Sequence, residues 1–425
     1  YMIVLFVPLV LVAGLGLGTL ASRRRGLLAA ALATAARGVV PALAVISAFA
    51  VGALVIILSD RQVWPIWSTD PLRALGLSLE TVVAAYGALL RGALGDPATY
   101  VTAFGSGDPS QIVAAFNPVS ESLLSATPLI FTGLAVALGF RSGLFNIGAE
   151  GQLYMGAMFA TYVGFAVSGL PFYVHLPLAL PAGALGGAIW GLIPGLLKAR
   201  TGAHEVITTI MLNYVSYRVI DWILKQPFYQ RPGRTDPISK IVEPSAQLPP
   251  IIEGLRVHWG FVLALLAAIF VSWLLFRSTL GFEFRAVGLN PSAARYAGIN
   301  IARTLVRTMG IGGALAGLAG TAEILGANKT LTAGFSPGYG FDAITLALLG
   351  GSRPAGVVAA AILFGALRAG ATPMQSATGI PIDLVVVIQA LVVMFIAAPA
   401  LVRAIYRIRA PAVSGLEGFS KGWGA

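Results

Sequence analysis

Apolar runs of about 20 residues, the length of helix needed to cross a hydrocarbon core, recur along most of this chain. They lie near 2–21, 38–58, 119–139, 150–169, 177–197, 206–225, 259–276, 304–325, 355–371 and 383–402. In lipid, every backbone N–H and C=O must find its partner inside the protein, which leaves helices and closed barrels as the spanning structures. The runs lack the apolar/polar alternation of a membrane barrel. Of 425 residues, 57% are hydrophobic and only 11% charged, against ~25% charged in an ordinary soluble domain. The predicted fold is all-α: a polytopic membrane helical bundle of about 10 transmembrane helices.

Two stretches are ambiguous. Residues 342–352 are apolar but too short to cross alone, so they suit a half-helix in a protein-lined interior. Residues 74–94 are long enough to cross, but Glu80 and Arg91 favour a helix lying on the surface. On that reading 59–118, with Trp64 and Trp67, forms an external segment. The proline-rich loop 226–258 is expected to run extended across the same side.

The 28 Lys and Arg against 17 Asp and Glu sit in short loops between spans, where they act as topology signals rather than a nucleic-acid surface. Basic residues are richest in 22–37, 277–303 and 403–425, which puts those loops and the C-terminus in the cytoplasm. The absence of cysteine excludes disulfides, thiolate metal sites and cysteine nucleophiles. His175, His204 and His258 have no metal-ligand spacing. The apolar start, 2–21, reads as a span and not as a removable signal.

Polar residues at span ends supply the candidate pathway. Asn146, Glu150 and Gln152 interleave with Gly148 and Gly151, a pattern that loosens a helix while offering donors and acceptors to a polar interior. An ordinary turn with a capping carboxylate fits the same residues. Asn213 shares a helical face with Glu205, and either bonds between helices or faces the interior. The turn Gly334–Asp342 feeds the short apolar piece. Its Phe335, Tyr339 and Phe341 suit stacking on a planar cargo or an interfacial aromatic belt. Asp342 suits either an N-cap or the pathway.

No Gly-rich loop with Lys-Ser/Thr is present, so the chain has no P-loop of its own, and no nucleophile–base pair marks it as an enzyme. If Glu150 or Asp342 bound a coupling ion, the chain would be a self-sufficient secondary transporter. A purely structural membrane protein is disfavoured, because polar, glycine-broken segments are costly without a passage to line.

Three motifs, Phe140 to Gln152, Glu283 to Ile299 and Gly338 to Gly351, resemble the permease subunits of bacterial ABC importers. The resemblance is to the group that takes in ribose, branched-chain amino acid and nucleoside permeases, closest to the nucleoside branch. It covers about 119–402 and implies a type II ABC importer-like permease core, with 1–70 as an untypical front end, 71–118 as the external segment and 403–425 as a cytoplasmic tail. It also implies that loop 277–303 carries the cytoplasmic coupling helix, with Glu283, Arg285, Ala286, Gly288, Asn290, Ala293, Ala294, Ala297 and Gly298 at matching positions. The implied partners are an ABC ATPase subunit that binds ATP and Mg, a second permease, a substrate-binding lipoprotein and the lipid of the bacterial plasma membrane. Nucleosides or related purine and sugar compounds are the expected cargo.

Overall fold

The computed structural model of the chain describes residues 24–60 and 63–407; the expected span at 2–21 and residues 408–425 lie outside the described residues. The chain divides into two compact units. One is 48–397 and the other joins 1–47 with 398–425. In the smaller unit, the Ser47 hydroxyl donates to the Leu43 carbonyl at 2.8 Å and lies 3.1 Å from the Tyr406 hydroxyl.

The described residues are mostly helical and hold no β-strand beyond isolated bridges. Besides short helices at Trp64–Trp67, Pro97–Ser106 and Pro109–Ala115, the helices are α1 (Arg24–Ser59), α2 (Pro71–Leu94), α3 (Asn117–Arg141), α4 (Ala149–Ala166), α5 (Phe172–Thr201), α6 (Glu205–Ile223) and α7 (Gly260–Arg277), then α8 (Thr279–Leu289), α9 (Pro291–Tyr296), α10 (Ile301–Ala322, prolonged by a π-helical turn Glu323–Asn328), α11 (Tyr339–Leu349), α12 (Pro354–Thr378), α13 (Asp383–Ala397) and α14 (Pro399–Ile405). Among the described residues, seven helical segments are long and apolar enough to cross a membrane. The sequence-based count of about 10 included α4 and α6, which fall outside that set. The run at 383–402 is not one helix: it breaks at Ala398, before Pro399.

Helix α2 corrects the expectation of a surface-lying segment. It contacts α12 closely: the Leu89 carbonyl lies against Gly370, and Gly92 lies against Pro373. Partner positions rise together along both helices, so the two run parallel. Ala85, Ala88 and Leu89 are buried in a cluster with Leu367, Ala371 and Met374. Glu80 and Arg91 are exposed, so they leave that packed face free of charge. A 24-residue helix is about 36 Å long, so the two ends of α2 lie at opposite ends of the bundle. Its C-terminus meets the start of α3, where the Ser122 hydroxyl donates to the Ala93 carbonyl at 2.6 Å. Its N-terminus, with Trp64 and Trp67 just before it, therefore lies toward the end that carries α8 and α9.

The opposite end is capped by 226–258, which is extended as expected but firmly seated. Tyr229, Val242, Ala246 and Leu248 are buried. Backbone N–H groups of Val242, Glu243 and Leu248 donate to Lys329, Gly164 and Leu325. The Ser120 hydroxyl accepts from the N–H of Val257 at 2.8 Å. His258 lies beneath this cap and its Nδ1 accepts from the Gly260 N–H at 3.1 Å. Burial, helped by the Lys329 ammonium, pushes its imidazole down to about 4.

Helices in lipid gain little from burying apolar surface, so small residues that admit close backbone approach supply the packing. The seam between α5 and α10 is the extreme case. A β-carbon on Gly187 would stand 2.2 Å from the Gly313 carbonyl oxygen, and one on Gly317 would stand 2.4 Å from that of Gly183.

Candidate functional site

Helix α3 ends at Arg141, and the chain turns back into the bundle as a non-helical segment, 142–148. Helix α4 therefore starts within the bundle. The break exposes backbone groups that need partners away from water. Two predicted residues, Asn146 and Asn213, supply them and a third, Gln152, braces Asn146; each is 1% exposed. The Asn146 side-chain oxygen Oδ1 accepts from the Gly148 N–H at 3.0 Å and its side-chain amide nitrogen donates to the Gln152 side chain at 3.1 Å. The Asn213 side chain reaches from α6, accepting from the Gly151 N–H at 2.8 Å and donating to the Ile147 carbonyl at 3.0 Å. Asn146, Gln152 and Asn213 thus hold the break in shape.

A second half-helix meets the first. The chain drops from the capped end to Gly338, whose φ of 94° makes the sharp entry into α11 that a side chain would oppose. The Gly340 N–H then donates to the buried Glu150 carboxylate at 2.6 Å. A β-carbon on Gly340 would come within 2.1 Å of the Glu150 backbone nitrogen. The Tyr339 carbonyl accepts from Thr132, midway along α3, at 3.2 Å, which fixes the depth of this junction. The geometry is that of two discontinuous helices whose N-termini converge inside the bundle, an arrangement that builds binding sites in transporters.

Around the junction stands a polar and aromatic lining. Asp342, read from sequence as an N-cap or pathway residue, is not the cap, which is Gly338. It forms an ion pair with Arg368 of α12. The Arg368 guanidinium also lies 4.9 Å from the centre of the Tyr339 ring, and its Nη1 is buried without a hydrogen-bond partner. The Tyr154 ring centre lies 4.7 Å from that of Phe335 and 4.9 Å from that of Tyr217. Of the predicted residues, Glu150, Phe335, Tyr339 and Asp342 come together here, whereas Phe341 is 45% exposed and turns away. Arg368, Tyr154 and Tyr217 had been missed. The available signal for Arg368 was a single charge in the apolar interior of α12.

The other predicted site is the α8–α9 end. Ser278 caps α8, accepting from the Gly281 N–H at 3.0 Å, and Asn290 caps α9, accepting from the Ala293 N–H at 3.0 Å. Both are side-chain N-caps that satisfy orphan donors. Phe284, Val287 and Ala294 anchor the pair in the protein. Asn290, Ala293, Ala297 and Gly298 are exposed, while Glu283, Arg285, Ala286 and Gly288 are half-buried. Glu283 lies 3.9 Å from Arg307 of α10, and the Arg285 guanidinium lies 5.6 Å from the centre of the Phe276 ring. The most prominent apolar side chains were not predicted: Leu289 is 79% exposed and Tyr296 95%. Exposed apolar residues beside small ones are what a docking surface presents.

Comparison with known proteins places these features in a family. Residues 119–397 match the model of the branched-chain amino acid transport system permease component. The guanosine ABC transporter permease protein NupP of Bacillus subtilis is 43% identical over 67% of this chain and 82% of its own length. The glucose ABC transporter permease protein TsgB13 of Haloferax volcanii is 37% identical over 80% and 90%. The nucleoside ABC transporter permease protein NupB of Lactococcus lactis is 36% identical over 66% and 79%. No solved structure matches the chain.

Proposed function

The chain belongs to the permease-component family of the branched-chain amino acid transport systems, and we propose that it is the transmembrane subunit of an ATP-driven importer for nucleosides or related purine and sugar compounds. The observation that carries this reading is the meeting of two broken helices at Glu150 and Gly340, lined by Tyr154, Phe335, Tyr339 and the Asp342–Arg368 pair. Aromatic faces suit a planar base, while carboxylate and guanidinium suit its donors and acceptors and sugar hydroxyls.

In this reading ATP and Mg bind a separate ATPase subunit that docks on Leu289 to Gly298. A second, similar permease completes the passage, and an extracytoplasmic lipoprotein delivers cargo to the end capped by 226–258. The α8–α9 end and the C-terminus are then cytoplasmic. ATP-driven movement of the docked subunit would rock the helices and alternate access around the junction. The ion-driven alternative has less support, since Glu150 and Asp342 are already engaged by Gly340 and Arg368.

The test is reconstitution in vesicles with and without a partner ABC ATPase subunit, reading uptake of labelled guanosine and its competition by glucose. ATP-dependent guanosine uptake is the expected result. Uptake by the permease alone under an imposed proton or sodium gradient would overturn it.

A further inference from the structure

Arg141 joins both candidate sites. Its carbonyl oxygen is pressed against Gly288 of α8, where a β-carbon would stand 2.3 Å away. From the same residue, Nε donates to the Ser352 carbonyl at 3.0 Å and Nη2 donates to the Gly351 carbonyl at 3.1 Å. These two carbonyls belong to the turn that ends α11. The guanidinium also lies 5.9 Å from the centre of the Phe276 ring, the ring that Arg285 of α8 approaches from 5.6 Å.

The turn it grips is unusual. Gly351 and Ser352 have φ of 60° and 50°, two successive left-handed residues. Such a conformation at a non-glycine costs about 1–3 kcal/mol and persists only where the surroundings over-determine it. Here the Ser352 N–H donates to the Ala347 carbonyl at 2.7 Å while Arg141 holds its carbonyl. Gly350 is closed in by Gly356 and Val357, with a β-carbon position 2.4 Å from the Val357 nitrogen. Helix α11 is thus fixed at this end by Arg141 and at the other by Glu150 and Arg368, with 11 helical residues between. At 1.5 Å per residue the span is about 16 Å.

We propose that Arg141 is a positioning residue that transmits displacement of α8 to α11, and through α11 to the Glu150–Gly340 junction. The inference rests on the importer reading. Its logic is geometric: α8 touches the main chain of Arg141, and the planar fork of the same residue holds two carbonyls of the α11 turn at once. A lysine, a point charge on a flexible stem, would not reproduce that grip.

The chain has no cysteine, so introduced cysteines are unique labelling sites. Spin labels at Thr279→Cys on α8 and at Phe341→Cys on α11 would each be measured against Leu185→Cys on α5, in the complete transporter with and without a non-hydrolysable ATP analogue. In the otherwise unaltered chain both distances change on nucleotide binding. In Arg141→Gln and in Arg141→Lys the α8 change persists, the α11 change falls by at least half, and uptake per ATP hydrolysed drops about fivefold or more. A merely structural role would disturb both distances together. An α11 change of full size in both variants overturns the proposal. Failure of either distance to respond in the unaltered chain overturns the importer reading, and this inference with it.

Discussion

Gly288 and Arg141 touch through their main chains, with room for nothing larger than hydrogen on Gly288. The neighbouring surface proposed for docking is different in kind. Gly298 has open space where a side chain would go, although its φ of 81° favours glycine. Two glycines in one motif therefore have separate duties. Gly288→Ala should destabilise the permease by about 2–3 kcal/mol, because a backbone carbonyl cannot yield as a side chain can. Gly298→Trp should cost only about 1–2 kcal/mol of backbone strain but block association with the ATPase. Thermal melting in detergent and co-purification of the two subunits distinguish the two effects. Equal melting temperatures for the two variants would contradict this division.

Leu289 and Tyr296 make little contact with their own chain. Leu289→Ala and Tyr296→Ala should change permease stability by less than about 0.5 kcal/mol. Each should weaken ATPase binding by about tenfold, the loss of 1.4 kcal/mol or more typical of a truncated interface anchor. Titration of labelled ATPase onto permease in nanodiscs measures this directly. Unchanged affinity in the double variant would show that the ATPase docks elsewhere.

The Asp342–Arg368 pair gives a prediction of another form. Arg368→Ala leaves a carboxylate inside the bundle without its counter-charge, which should cost about 3 kcal/mol. Adding Asp342→Asn should recover part of the loss, with a coupling of roughly 1–3 kcal/mol. A double-mutant cycle of melting temperatures tests it. Strict additivity would mean that the two groups are held by other neighbours.

His258 makes the cap acid-sensitive. Its imidazole is held at about 4 against an ordinary 6.5, so the unfolded chain binds its proton first as pH falls. Its contribution to stability is constant above the unfolded value and is lost as pH drops from about 6.5 to about 4, by at most roughly 3 kcal/mol. Hydrogen exchange of residues 238–259 should accelerate across that window and level off below it. His258→Gln should flatten the profile. A flat profile in the unaltered protein would show that the imidazole charges without opening the cap.

The fold class was legible because lipid imposes it: long uncharged runs permit little besides helices. The existence of the helix breaks was partly legible too, since Gly148, Gly151 and Gly338 announce them, whereas their depth inside the bundle was not. What Asn146 and Asn213 do was not, because a donor is structural or cargo-facing according to its partner. Asn213 meets Gly151, and Glu150 meets Gly340, across sequence separations of 62 and 190 residues that no periodicity spans. Arg368 escaped notice because a lone charge in an apolar helix has no local counterpart; its partner lies on α11. Residues 74–94 misled for the converse reason. Glu80 and Arg91 suggested a water-facing helix, although the face opposite them is the one that packs. Leu289 and Tyr296 were overlooked because an apolar residue in a basic loop looks, from sequence alone, like one that will be buried.

The seam where Gly187 meets Gly313 also bears on which parts of the molecule have alternatives. Joints made of side chains can repack, since rotamers offer several arrangements of similar energy. A joint made of two bare main chains has no such repertoire, so α5 and α10 form a keel with one way of fitting together. Whatever conformational freedom transport requires must then reside where side chains carry the contact, as in the Asp342–Arg368 ion pair.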